Sequence, residues 1–156
     1  MQIEGPATVL VPLDFSEFSL NAVEKVLALA SEQTEVHVLH VVDPTPAIIS
    51  MDPALPVPPS VDQSRFDDAM KAMRERFDDP RYSHVHVFCK MGDPGRMIAD
   101  HAHQSKVTLI VMPSHGRTGL TRLMIGSVTE RVLRLAECPV LVLRESRQAD
   151  ESSESA

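Results

Sequence analysis

The stretch of the chain with the clearest chemical potential is a small-residue loop that leads into a helical segment. Residues 113–120 are rich in small residues, and Gly126-Ser127-Val128-Thr129 opens a helix. Glycine lets a backbone approach a ligand closely, and the N–H groups of a first helical turn favour phosphate. Arg117 and Arg122 would add positive charge. The alternative is that the glycines only turn the loop and cap the helix, and the spacing alone leaves both interpretations open.

Asp14 is a second candidate, because it follows the first apolar run of the chain. In an open parallel sheet the ligand crevice lies at the carboxyl ends of the strands, where the strand order reverses. A carboxylate there can accept hydrogen bonds from ribose hydroxyls, or it can cap the following helix, and both roles stay open. The sequence has no Gly-x-x-x-x-Gly-Lys-Ser/Thr motif and no Gly-x-Gly-x-x-Gly after this run, which argues against P-loop and dinucleotide sites.

The elements that must position these residues alternate between two periodicities. Short Val- and Leu-rich runs are typical of strands covered on both faces, and the segments between them repeat apolar residues with helical spacing. The five runs are 8–13, 36–42, 84–89, 108–112 and 140–143. This order predicts an α/β domain with a mostly parallel sheet and right-handed crossovers.

Composition narrows the class of protein. The 156 residues carry a formal net charge of −7, and 43% are hydrophobic, which suits one globular domain and argues against a nucleic-acid binder. No apolar run is long enough for a membrane span, and the N-terminus does not resemble a signal peptide. Two cysteines without metal or redox spacing predict a cytoplasmic protein. Prolines cluster in residues 44–59, which predicts an irregular loop, and we expect 145–156 to be a disordered acidic tail.

The seven histidines do not predict a metal site. His84 and His86 share one strand face, but no third ligand is placed by the sequence, and structural zinc needs four ligands. His115, in the candidate phosphate loop, is the histidine worth testing as a phosphate donor.

Three stretches of the chain resemble the universal stress protein family. They are residues 11–16 (VPLDFS), 39–43 (LHVVD) and 112–144, and the resemblance covers about residues 5–144. It implies a single-domain open five-stranded parallel sheet of order 3-2-1-4-5 with helices on both faces, over residues 1–144. The ATP-binding members carry Gly-x-x-Gly, nine residues, then Gly-Ser/Thr. Gly116 and Gly126-Ser127 match the second half of that pattern, but Pro113 stands in place of the first glycine.

The resemblance implies an adenine-nucleotide site and a stress-response sensor or adaptor. Its contacts would come from Pro12, Asp14, Val41, Met112, Pro113, His115, Gly116, Arg117, Gly126, Ser127, Val128 and Thr129. Pro12 and Asp14 would flank the adenosine, and the Val41 backbone would read the adenine edge. The ligand would be ATP, with or without Mg²⁺ or Mn²⁺. No general base is evident beside the phosphates, so we expect no catalytic residue and at most slow hydrolysis.

The alternative is a homodimeric interaction module of the same fold that binds no nucleotide. Pro113 favours it, because proline has no N–H to offer a phosphate. In either case we expect a homodimer through the final strand, residues 139–143, because the implied order makes this apolar strand an edge. The sequence does not identify a regulatory protein partner.

Overall fold

The computed structural model describes residues 6–44, 60–114 and 125–144. The strands are β1 (Ala7–Pro12), β2 (Thr34–Val42), β3 (Val85–Met91), β4 (Leu109–Pro113) and β5 (Val140–Leu143). The helices are α1 (Glu17–Leu29), α2 (Ser60–Arg76), α3 (Pro94–Gln104) and α4 (Ser127–Leu135), with a 3-10 turn at Pro80–Tyr82.

The five strands form one parallel sheet in the order β3-β2-β1-β4-β5, so the predicted fold class is confirmed. The chain builds outward from β1 to β3 on one side and then crosses to β4 and β5 on the other. The strand order therefore reverses between β1 and β4, where a crevice opens at the carboxyl ends of the strands.

Helices cover both faces of this sheet, because successive strand residues point to opposite sides. On one face, the sheet packs against α1 and against Met73 of α2. The sheet residues in this cluster are fully buried: Val9, Val11, Val36 and Val38. On the other face, a second cluster joins the sheet to α3 and α4, through Leu10, Leu39, Ile98, Ile110 and Val132.

Two helices begin at residue types that favour a helix N-terminus. Ser16 caps α1 by accepting a hydrogen bond from the Ser19 N–H, and Asp93 caps α3, whose first residue is Pro94. Gly126 is the cap residue of α4 and makes no side-chain cap bond.

The strand ends differ from the predicted runs by one to two residues. β2 begins at Thr34, because this buried residue already pairs with Ala7 of β1. β3 continues to Met91, beyond the expected end at residue 89, and Gly92 N–H still donates to Val42 O. The predicted irregular loop lies outside the described residues apart from residue 44, and so does the predicted acidic tail. No helix in the described ranges is long and apolar enough to cross a bilayer.

Candidate functional site

A cleft of about 270 Å³ lies at the carboxyl ends of β1, β2 and β4, beside the N-terminus of α4. Nine of the residues predicted for the site line it: Pro12, Asp14, Val41, Met112, Pro113, Gly126, Ser127, Val128 and Thr129. The other three, His115, Gly116 and Arg117, lie outside the described residues. The fold thus brings together side chains that are more than 100 residues apart in the chain.

Four lining residues were missed by the sequence reasoning: Leu13, Ser19, Leu39 and Ile98. The sequence pattern could have indicated Leu39 and Ile98, since they belong to the apolar residues of β2 and α3. It could not have indicated Ser19, because the role of this residue depends on the turn that precedes α1.

Asp14 sits in a network of hydroxyl groups at the end of β1. One carboxylate oxygen, Oδ1, accepts hydrogen bonds from the Ser16 N–H at 3.0 Å and from the Ser16 hydroxyl. The Asp14 N–H donates to Ser19 Oγ at 3.3 Å. Burial raises the pKa of Asp14, but the hydrogen bonds from Ser16 and Ser19 outweigh it, so the pKa lies below its usual value. Asp14 is therefore a carboxylate at neutral pH, and Ser16 rather than Asp14 caps the helix.

Both hydrogen bonds that Ser16 donates to the Asp14 carboxylate end on the same oxygen, Oδ1. Asp14 is also the only ionisable side chain among the described residues that line the cleft. It can therefore accept hydrogen bonds from the hydroxyl groups of a ligand.

The turn after Asp14 holds Phe15 in an uncommon backbone conformation, with φ of 62°. A bulky residue at positive φ is strained and persists only where the surroundings hold it. The Phe15 ring packs on the His40 ring with centroids 4.8 Å apart, and Nδ1 of His40 lies 2.7 Å from Leu13 O.

Val41 presents a peptide edge to the gap beyond the end of β1. On β2, Leu39 O accepts from Leu13 N–H on the β1 side, and Val42 O accepts from Gly92 N–H on the β3 side. Because peptide groups alternate along a strand, the N–H and C=O of Val41 point toward β1, like those of Leu39. The β1 ladder has already ended at the Pro12–Leu39 pair. No described residue of β1 or its turn bonds to these two Val41 groups.

The first turn of α4 borders the cleft with backbone N–H groups that have no partner among the described residues. The first hydrogen bond within the helix runs from Glu130 N–H to Gly126 O at 2.9 Å. The N–H groups of Ser127, Val128 and Thr129 therefore have no partner within the helix. The Thr129 hydroxyl donates to Pro113 O at 3.2 Å and fixes the helix against β4.

Pro113 costs the sheet no hydrogen bond on the β5 side. The Ser114 N–H, and not the Pro113 nitrogen, donates to Leu143 O at 2.9 Å. Proline is tolerated in a strand where its nitrogen has no ladder partner to lose.

Histidines from three elements meet away from the cleft. Nδ1 of His37 on β2 lies 3.1 Å from Nε2 of His101 on α3, and the His86 ring of β3 lies beside His37. Burial first, then the nearby Lys90 and His37, lowers the pKa of His101 to about 4. In the described ranges, no group of three or more His, Cys, Asp or Glu side chains is arranged to hold a metal ion.

Comparisons with known proteins agree on one family. The model of the universal stress protein family matches residues 7–144 of this chain. A universal stress protein of Methanocaldococcus jannaschii is 30% identical over 142 residues, which cover 90% of this chain and 83% of that protein. The solved structure of universal stress protein UspA from Lactobacillus plantarum has a TM-score of 0.74 at 28% identity, and the match covers 91% of this chain and all of that one.

A further solved structure is a universal stress protein in complex with cAMP. It has a TM-score of 0.63 at 19% identity, with 92% of this chain and 100% of that chain covered. At that identity the likeness concerns the fold.

Proposed function

Because the chain belongs to the universal stress protein family, we propose that its cleft binds an adenine nucleotide, with ATP as the ligand. One observation carries the proposal. The free peptide edge of Val41 and the free N–H groups that open α4 border the same cleft, whose walls are otherwise mostly apolar. An apolar cleft with a few convergent polar groups is the usual form of a small-molecule site.

The base would lie against the Val41 end of the cleft. The Val41 N–H would donate a hydrogen bond to N1 of adenine. The Val41 C=O would accept one from the exocyclic amine. The flat faces of the base would pack against apolar lining residues such as Pro12, Leu39 and Met112. Guanine reverses this pattern of donor and acceptor, so the site would discriminate against it.

The sugar would lie at Asp14, whose Oδ2 would accept hydrogen bonds from ribose hydroxyls. ATP offers both the 2′- and 3′-hydroxyls, whereas the cyclic phosphate of cAMP occupies the 3′-oxygen. This difference favours ATP over the cyclic nucleotide in this cleft.

The phosphates would lie at the N-terminus of α4. The N–H groups of Ser127, Val128 and Thr129 would donate to phosphate oxygens, and the positive end of the helix dipole favours the anion. His115, Gly116 and Arg117 remain predicted contributors to this end, and Mg²⁺ or Mn²⁺ a predicted companion of the phosphates.

The proposed role is binding rather than rapid turnover. Among the described lining residues, Asp14 is the only candidate base, and the proposal places it at the sugar rather than at the phosphates. We therefore propose a cytoplasmic sensor or adaptor whose conformation or assembly responds to the bound nucleotide.

The edge strand β5 supports the proposed homodimer. β5 is the last strand of the sheet, and all four of its residues are only half-buried. Leu133 and Leu135 on the preceding helix are 42% and 46% exposed. An exposed apolar edge is a template for strand pairing, and a second copy related by a two-fold axis would satisfy both edges.

Calorimetry on a pair of cap variants tests the nucleotide proposal. Gly126→Asp places a carboxylate at the free N–H groups of α4, while Gly126→Asn places a neutral group of the same shape there. Both residues are favoured helix caps, so both variants are expected to fold. We expect ATP to bind the wild type, and the Asp variant to bind at least about tenfold more weakly than the Asn variant.

Two results would contradict the proposal. Equal ATP affinities of the Asp and Asn variants would show that the phosphates do not bind at the N-terminus of α4. A wild type that shows no ATP binding up to millimolar concentration would favour the nucleotide-free homodimeric module instead.

A further inference from the structure

The hydrogen-bond ladder between β1 and β2 lacks the bond that would continue it toward the carboxyl end of β2. Its last bond runs from Leu13 N–H to Leu39 O at 2.8 Å. In a regular parallel ladder the next bond would run from Val41 N–H to Leu13 O. That bond is not formed, and Leu13 O instead accepts a hydrogen bond from the His40 ring.

The geometry determines which His40 nitrogen carries a proton. Nδ1 of His40 lies 2.7 Å from Leu13 O. A carbonyl oxygen can only accept a hydrogen bond, so Nδ1 carries the hydrogen and donates it. The imidazole thus holds the carbonyl that would be the ladder partner of the Val41 amide.

The His40 ring lies on the face of the sheet opposite to the Leu39 and Val41 side chains. Residues alternate along β2, and Leu39 and Val41 pack on the α3 and α4 side, whereas Val36 and Val38 pack on the α1 and α2 side. His40 therefore lies on the α1 and α2 side. The Phe15 ring packs against it there, held by the strained turn at the end of β1.

We propose that His40 is a positioning residue for base recognition, because it holds Leu13 O and so keeps the N–H of Val41 available to a purine. This inference rests on the proposed nucleotide site. It assigns selectivity for the base to a side chain that does not touch the ligand. Phe15 shares the task by keeping the imidazole in place.

Two variants of the same shape separate this role from packing. In His40→Asn the amide nitrogen reaches nearly the position of Nδ1 and can still donate to Leu13 O. His40→Leu has the same shape without a donor. His40→Gln, whose amide reaches the position of Nε2 instead, serves as a second variant that lacks the donor where it is needed.

Hydrogen exchange of the Val41 amide without nucleotide gives the first readout. We expect exchange in His40→Leu and His40→Gln to be about tenfold slower than in the wild type, because the amide then bonds to Leu13 O. His40→Asn should match the wild type. Simple damage to packing would speed the exchange, so unchanged or faster exchange in both donor-less variants overturns the proposal.

The ratio of ATP to GTP affinity gives the second readout. We expect the preference for ATP to fall at least about tenfold in His40→Leu, equivalent to about 1.4 kcal/mol, and to be retained in His40→Asn. A wild-type preference that survives in His40→Leu overturns the role of His40 and leaves the nucleotide site standing. A wild type that binds ATP and GTP equally also overturns it, and one that binds neither overturns the nucleotide site as well.

Discussion

Nδ1 of His37 lies 3.1 Å from Nε2 of His101, so one imidazole donates a hydrogen bond to the other between β2 and α3. The His101 residue is only 3% exposed, and both rings contact Phe88. One nitrogen of such a pair must act as an acceptor, so the two rings cannot both be protonated while the bond persists.

This pair predicts a loss of stability in mild acid. Burial is the main cause that lowers the pKa of both rings, to about 4 for His101; neighbouring His86 lowers that of His37 further, and Glu35 opposes it. The unfolded chain, with ordinary histidine pKa values near 6.5, then binds more protons than the folded one. The free energy of unfolding is therefore highest above pH 6.5 and decreases as the pH falls toward 4. For His101 alone, the expected decrease between pH 7 and pH 5 is about 2 kcal/mol.

Denaturant unfolding of His101→Gln at several pH values checks this expectation. The Gln amide reaches the position of Nε2 and does not titrate, so the slope of stability between pH 7 and 5 should flatten. His103→Gln, an exposed position on the same helix, should leave the slope unchanged. If the free energy of unfolding of His101→Gln depends on pH as steeply as that of the wild type, the acid sensitivity does not come from His101.

Asp14 is predicted to be the group that senses the ribose. Its low pKa keeps it charged at neutral pH. In Asp14→Asn the amide oxygen can still accept from Ser16, so the turn should survive. We expect ATP affinity to fall about tenfold, since a hydrogen bond to a charged group contributes about 1.5–3 kcal/mol.

Deoxygenated nucleotides test the same contact without relying on one variant. The wild type should bind 2′-deoxy- or 3′-deoxy-ATP more weakly than ATP, and Asp14→Asn should bind them about as well as it binds ATP. Independent, additive losses from the two changes would show that Asp14 and the sugar hydroxyls do not interact.

The proposed dimer predicts a specific effect of charge at β5. Val142→Lys adds a cation to a half-buried edge residue, and we expect it to shift the protein toward monomer. Met91→Lys adds the same charge on the opposite edge strand, where Met91 is 39% exposed, and should have no effect. Light scattering at micromolar concentration should give twice the chain mass of 17.2 kDa for the wild type. A wild-type mass equal to that of one chain would contradict the dimer. A Val142→Lys variant that remains dimeric would show that the interface does not include β5.

The sequence predicts best what depends on neighbouring residues. Ser16 and Asp93-Pro94 show their capping roles because each acts within its own turn. The alternation of runs predicts a parallel sheet, whereas the strand order came from the family resemblance. The twelve site residues also came from the resemblance, and the fold brings nine of them around one cleft.

Features that depend on register and long-range packing could not be predicted in this way. The contact between His37 and His101 joins residues 64 positions apart and requires α3 to lie over β2. The role of His40 depends on where the β1 ladder ends, which no local pattern encodes. The positive φ of Phe15 also has no signal, because Gly and Asn are the usual residues there.

An ATP titration followed by the NMR shifts of backbone amides is the sharpest test of the nucleotide site. The amide signals of Val41, Ser127, Val128 and Thr129 should shift together and saturate with one binding constant, while those at the far end of the sheet, such as Thr34, should stay in place. Shifts confined to other parts of the chain, or none at these four amides at saturating ATP, would contradict an adenine-nucleotide site in this cleft.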